Sequence, residues 1–299
     1  MAVSKHSERS GIAYALGAYI TWGFLTIYWK LLKEFNAFEL IGWRIVTSAI
    51  VLIAILLYNK QFRNLIAGLR ERQTRKTIAL ASIMLSVNWT TYVWAVVHEH
   101  ILETALGYFI APIFTMVIGF IVLHEPIRAS HRAVIALATI AIAILTYSYG
   151  EPPWRAILIA TSWSIYGFLK KQVALTSLES LSGEVIALLI PAIALVVVTF
   201  DRPDSVANLA SGFEWALVLL TGLMTAIPLL MFGAASRRVR LSVLGPMQYL
   251  VPSFNFLLGW LVYSEELNSL RVLGFGFVWV GLAIFFVDAF KSTKVPATN

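Results

Sequence analysis

The chain contains no cysteine. Disulfide staples, thiolate metal sites and cysteine nucleophiles are therefore excluded. Charge is also scarce: 13% of the 299 residues are Asp, Glu, Lys or Arg, against about 25% in ordinary soluble domains. Catalytic signatures are missing as well. The histidines lack HExxH spacing, and neither a GxSxG elbow nor a P-loop occurs. No metal site, cofactor or enzymatic activity is expected, and an ATP-driven pump has no support.

What the chain has in excess is apolar surface. Hydrophobic residues make up 59% of it, and the mean hydropathy is +0.78. Runs of about 20 apolar residues recur from end to end, each long enough to cross a hydrocarbon core about 30 Å thick. In that medium every backbone polar group must be satisfied within the spanning element, which leaves helices or a closed barrel. The runs lack the alternation of barrel strands. The sequence therefore predicts an all-α polytopic membrane protein. Residues 1–10 are polar and the first apolar run is long, so a cleaved signal is not expected.

Ten spans are predicted, near residues 12–32, 38–58, 77–97, 102–123, 132–149, 154–172, 181–200, 214–235, 242–263 and 271–290. With the N-terminus in the cytoplasm, 17 Lys and Arg fall on the inner side and five on the outer (Lys30, Lys33, Arg155, Arg202, Arg271), with Arg44 inside a span. That asymmetry is the positive-inside signal and puts both termini in the cytoplasm. The net charge of +7 is thus read as basic inner loops rather than a nucleic-acid footprint.

A weak internal repeat runs at an offset of 140 residues. Pro112 maps to Pro252, Phe114 to Phe254, Gly119 to Gly259, Val122 to Val262 and Glu125 to Glu265. Residues 1–150 and 151–299 are then two units of five spans each. An odd number of spans makes the second unit enter the membrane from the opposite side. Such inverted repeats build many secondary transporters, with the substrate site near the midplane between the halves. The same offset relates Asn36 and Glu39 to Thr176 and Glu179. Both pairs have capping-box spacing, so Glu39 and Glu179 are read as helix caps rather than proton carriers.

Polar and aromatic residues inside spans are the candidate site. Arg44 and its offset counterpart Glu184 could form an ion pair or serve as gating or coupling charges, because a buried charge in a membrane helix is a functional candidate. Snorkelling to an interface is the bland alternative. Asn88 and Tyr92 share a helix face, as do Gln248 and Pro252, an arrangement that Tyr108 and Pro112 repeat. Trp22 and Trp163 lie near mid-span, and Tyr19, Tyr166, Tyr249 and Thr225 complete the set. Interhelical hydrogen bonds and interfacial aromatics are the bland alternatives here. His98, Glu99, His100 and Glu103 offer a weaker outward proton relay, more simply read as a solvated loop.

Four stretches carry a resemblance: NWTTYVWAV (88–96), LGYFIAP (106–112), TAIPLLMF (225–232) and LSVLGPMQYLVP (241–252) with Glu265. Glu39, Arg44, Trp154 and Tyr166-Gly167 fit as well. Together they resemble RarD-type permeases of the EamA group in the drug/metabolite transporter superfamily. The resemblance implies ten helices in an inverted repeat, a bacterial cytoplasmic membrane, and transport of a small metabolite or drug-like molecule, with chloramphenicol the drug usually associated with the group. The expected partners are a small-molecule substrate, the lipid bilayer, and protons as a candidate coupling ion. A non-transporting scaffold or sensor is the rival, and it predicts no internal hydrated cavity.

Overall fold

A computed structural model describes residues 5–97, 101–126, 128–149, 154–262 and 269–294. The order is α1 Lys5–Lys30, α2 Ala37–Tyr58, α3 Phe62–Arg70, α4 Arg72–Val97, α5 Ile101–Ile121, α6 Ala129–Tyr149, α7 Trp154–Gln172, α8 Ser177–Ala187, α9 Leu189–Thr199, α10 Val206–Leu209, α11 Gly212–Arg238, α12 Leu241–Met247, α13 Leu250–Leu261 and α14 Ser269–Lys294. No strand occurs among the described residues. Glu265 and the loop candidates His98, Glu99 and His100 lie outside them, as does the side chain of Glu103.

Among the described residues, three helical stretches, Glu8–Lys30, Ala37–Tyr58 and Gly212–Arg238, are long and apolar enough to cross a membrane, and the bent pair α8–α9 makes a fourth when taken as one span. At 1.5 Å per residue, the 22 residues of α2 reach about 33 Å, a bilayer's hydrocarbon thickness.

Two predicted spans are each divided in two. Span 7 is α8 and α9, meeting at a 46° bend. Pro191 explains it, because it cannot donate to the carbonyl of Ala187 and its ring clashes there. Span 9 is α12 and α13. Pro252 cannot donate to Gln248, whose carbonyl instead accepts from Val251 N at 3.1 Å. The break thus falls at Gln248 and Tyr249. Pro112 and Pro228, in contrast, lie inside the unbroken helices α5 and α11. The basic stretch after α2, expected as a loop, contains α3, whose Leu65 is buried with Leu56, Ile78, Val173 and Leu175.

The caps divide the two predicted boxes. Thr176 Oγ1 accepts from Glu179 N at 3.2 Å and the Glu179 carboxylate accepts from Thr176 N at 2.8 Å, a complete box. Asn36 caps α2 through Phe38 N and Glu39 N, but Glu39 does not reciprocate. Its carboxylate accepts from Trp43 Nε1 at 3.1 Å and from Val206 N, the first residue of α10, at 2.8 Å.

Packing places the site. α1 lies against α11 and α13, and α7 lies against α4 and α5. α2 bridges to α9, α8 and α11, while α6 packs on α14. The α2–α11 seam is close enough that a Cβ on Gly222 would lie 2.4 Å from the carbonyl carbon of Thr47. Hydroxyls fasten it: Thr47 and Thr221 oxygens are 3.2 Å apart, and Ser48 Oγ donates to Gly222 O at 3.3 Å. Small residues and hydroxyls at contacts are how membrane helices associate without a hydrophobic drive.

Candidate functional site

Two polar regions lie inside the bundle. The first is a cavity of about 170 Å³. α1 contributes Tyr19, Trp22, Leu25 and Trp29. α2 contributes Arg44, α4 contributes Asn88, Trp89 and Tyr92, and α5 contributes Tyr108. Trp163, Leu229, Gln248, Val251 and Pro252 complete the wall. These positions fall at mid-helix or in the helix halves nearer the α1–α2 connection. Tyr92, 40% exposed, stands at that end.

The walls are aromatic. Trp22 meets Trp163 edge-on at 5.3 Å between ring centroids, and Tyr92 lies 6.1 Å from Tyr108. Arg44 is set among them. Its Nε donates to Thr225 Oγ1 at 2.9 Å, and its guanidinium carbon lies 4.1 Å from the centroid of Trp89 and 5.5 Å from that of Trp29. The amides are anchored. Gln248 accepts from Trp163 Nε1 at 3.0 Å and donates to Thr115 Oγ1 at 3.0 Å. Asn88 donates to Ile159 O at 3.0 Å and to Ser162 Oγ at 3.3 Å. Both amides are fixed in orientation, so the cavity presents preset polar edges rather than adaptable ones.

The second region lies beyond the cavity floor, toward the opposite, basic end of the bundle. Phe232 stacks on Tyr166 at 6.1 Å with an interplanar angle of 13° and packs against Trp163. Below them Lys170 Nζ meets Glu184 Oε1 at 2.7 Å and Ser180 Oγ at 2.6 Å, while Tyr166 donates to Glu184 Oε2 at 3.0 Å. Both charged residues are 1% exposed. Further out, Glu125 accepts from Leu241 N and Ser242 N at 3.0 and 2.8 Å, capping α12, with Lys171 Nζ 4.0 Å away. The charges that close this end, Lys170, Glu184, Glu125 and Lys171, are thus each partnered.

Of the sequence candidates, the cavity brings together Tyr19, Trp22, Arg44, Asn88, Tyr92, Tyr108, Trp163, Gln248 and Pro252. Thr225 touches it through Arg44. Tyr249 does not line it: its ring packs near Phe109 and its hydroxyl donates to Phe109 O at 3.0 Å. Tyr166 and Glu184 belong to the closed network instead.

Of the two readings of Arg44 and Glu184, an ion pair or gating charges, the ion pair does not form. Lys170 reaches Glu184 first, and Arg44 finds Thr225 and two indoles. Nor does Glu184 snorkel. Lys170 is not the inner-loop cation that the charge count makes it, because its side chain is buried. Sequence reasoning misses Thr115, Trp29, Trp89 and Lys170 as site residues. Only Lys170 carries a signal, as the offset partner of Lys30.

The model of the EamA-like transporter family matches residues 9–147 and again residues 154–287. The chain belongs to the EamA-like transporter family. Within it, the chain is 38% identical to protein RarD of Streptomyces exfoliatus, over 97% of this chain and 92% of that one. It is 32% identical to protein RarD of Escherichia coli over 96% and 97%, and 32% identical to the uncharacterized transporter YojE of Bacillus subtilis over 99% and 100%. It is therefore a RarD-type EamA permease, a multi-pass protein of the bacterial inner membrane. A crystal structure of a chain 16% identical superposes with a TM-score of 0.71 over 94% of this chain and 98% of that one, which shows that the fold is shared.

Proposed function

We propose that this EamA member is a secondary transporter that moves a small metabolite or drug-like molecule by alternating access between two inverted five-helix halves, residues 1–150 and 151–299. The carrying observation is the pairing of the two internal regions. An aromatic cavity with one charged group lies at mid-helix toward one end. Continuous packing with a buried ion pair closes the other end. A path across a membrane must be closed on one side whenever it is open on the other, and this arrangement is one such state. A scaffold has no use for the cavity.

The helix pairings support the inverted repeat. Each half's first helix packs on the third helix of the other half, α1 on α11 and α7 on α4, and on its fourth, α1 on α13 and α7 on α5. The double match of the family model supports it as well. With both termini cytoplasmic, the cavity faces outward and the Lys170–Glu184 network is the cytoplasmic gate. Opening that gate would expose Glu184 to water and let it exchange a proton, which makes protons the candidate coupling ion.

Reconstitution in liposomes tests the reading. Uptake of a solute panel, chloramphenicol and amino acids included, is measured with and without a pH gradient. Protein-dependent flux of at least one solute, lost in Gln248→Ala, is expected. No flux above empty liposomes for any solute would sink the reading.

A further inference from the structure

The charge content of the cavity narrows what it can hold. Resting on the transport reading above, we infer that the substrate is a net-anionic organic acid with a flat apolar body about one aromatic ring in size, its acid group held by Arg44.

Arg44 has five N–H donors, and among the described residues protein takes up only one of them, Nε, through Thr225. Among the same residues no carboxylate pairs with it, and no acidic side chain lines the cavity. The remaining donors form the planar fork that matches a carboxylate with two parallel hydrogen bonds. The Trp89 ring, 4.1 Å from the guanidinium carbon, and the bond to Thr225 restrain the group before anything arrives, so less ordering entropy is left to lose on binding. A second donor is buried in the wall of the same cavity. Tyr19 is 1% exposed, lines the cavity, and its hydroxyl has no hydrogen-bond partner. Buried hydroxyls are rarely left unpartnered, so Tyr19 is a further donor that a bound acid group could recruit.

The rest of the wall sets the body. Trp22, Trp29, Trp163 and Tyr108 supply ring faces and edges. A cavity of about 150 Å³ accepts benzene, so about 170 Å³ suits one ring with a short acid arm. Aromatic walls alone would also suit a cation. Arg44 already occupies that role against Trp89, and its charge opposes a second cation in a low-dielectric site. The amide groups of Asn88 and Gln248 carry no charge, so they do not supply the counter-charge that an ammonium group buried beside Arg44 needs. That separates an organic acid from a zwitterion of the same shape.

The test uses the full-length purified protein and four probes of one shape: phenylacetate, phenylethanol, phenethylamine and phenylalanine. Thermal unfolding in detergent at neutral pH reads binding, because a ligand that binds only the folded state raises the midpoint. Phenylacetate alone is expected to raise it. Arg44→Gln should weaken phenylacetate by about 10- to 100-fold, the range for a hydrogen bond to a charged group. Equal stabilisation by any of the other three probes, or phenylacetate binding that survives Arg44→Gln, overturns the inference.

Should Arg44→Gln fail to fold, Arg44→Lys keeps the charge and removes the fork. An affinity about tenfold weaker is then expected from the loss of the second parallel hydrogen bond, and unchanged affinity contradicts the assignment. Flux separates the two readings. Arg44-dependent phenylacetate binding without protein-dependent uptake into liposomes upholds this inference and removes transport. Phenylalanine flux that persists in Arg44→Gln upholds transport and removes the inference.

Discussion

Arg44 and Lys170 are both cations inside apolar helices, and the fold treats them in opposite ways. Lys170 is neutralised by Glu184 at 2.7 Å and further bound by Ser180. Arg44 is held by one hydroxyl and two ring faces in the wall of a cavity, and among the described residues its other donors have no protein partner. A buried charge completed by the protein serves the closed packing around it. A buried charge left incomplete by the protein is available to a ligand. The two regions are separated by a floor of Trp163, Tyr166 and Phe232, whose rings touch in every pairing.

The comparison can be broken at the closed side first. Lys170→Met leaves Glu184 buried without its counter-charge, a change that costs about 3–5 kcal/mol. The double variant Lys170→Met with Glu184→Leu should recover most of that loss, because replacing both ions by apolar groups is often neutral. Thermal unfolding in detergent checks both. A single variant as stable as wild type would mean that the pair does not hold this end together.

Glu125→Ala comes next. It removes two backbone partners at the start of α12 and should destabilise by about 0.5–2 kcal/mol, as loss of a cap does. Arg44→Gln should be milder still, about 1 kcal/mol for one lost hydrogen bond, while flux falls about tenfold or more. A large stability loss with flux retained would reverse the roles assigned to the two cations.

The smallest effect lies outside the membrane segments. Asp204 accepts from Asn36 Nδ2 at 2.9 Å and from Arg202 Nε at 3.0 Å, and these bonds hold its carboxyl below the usual range, with the Asn36 bond the larger cause. A depressed folded value means that the stabilisation is fully present above the ordinary carboxylate pKa of about 3.9. It is lost as pH falls through the lower folded value. Asp204→Asn should lower stability slightly at neutral pH and flatten that part of an acid unfolding curve, so that the two proteins converge at low pH.

Much of this plan is legible in the sequence, and the reasons differ by level. Apolar run length sets the helical membrane fold, because a bilayer leaves the backbone few choices. Loop charge and the 140-residue offset are the sequence basis for proposing two inverted halves. Gln248 is legible because an amide between two prolines in an apolar run has to meet a polar group inside the membrane. The bend at Leu188 escapes a reading of apolar runs although Pro191 stands three residues on. Lys170 is misplaced by its neighbour, because a lysine beside a second lysine at a helix end looks like a loop cation. Only three-dimensional packing shows that its side chain folds inward to Glu184. The Arg44–Glu184 ion pair is absent for a related reason. Equivalent positions in a repeat share a backbone setting, but each side chain pairs with whatever lies nearest.

The central claim is that the cavity and the closed network are two ends of one path that open in turn. The absence of cysteine makes a direct measurement simple: single-cysteine variants in oriented vesicles, labelled by a membrane-impermeant thiol reagent. Tyr92→Cys reports the cavity mouth, and Ser236→Cys, nearly isosteric and fully buried in wild type, reports the closed side. Tyr92→Cys should label from outside and Ser236→Cys only from inside, with a transported solute shifting the two rates in opposite directions. Rates that do not respond to the solute, or that rise and fall together, would contradict alternating access.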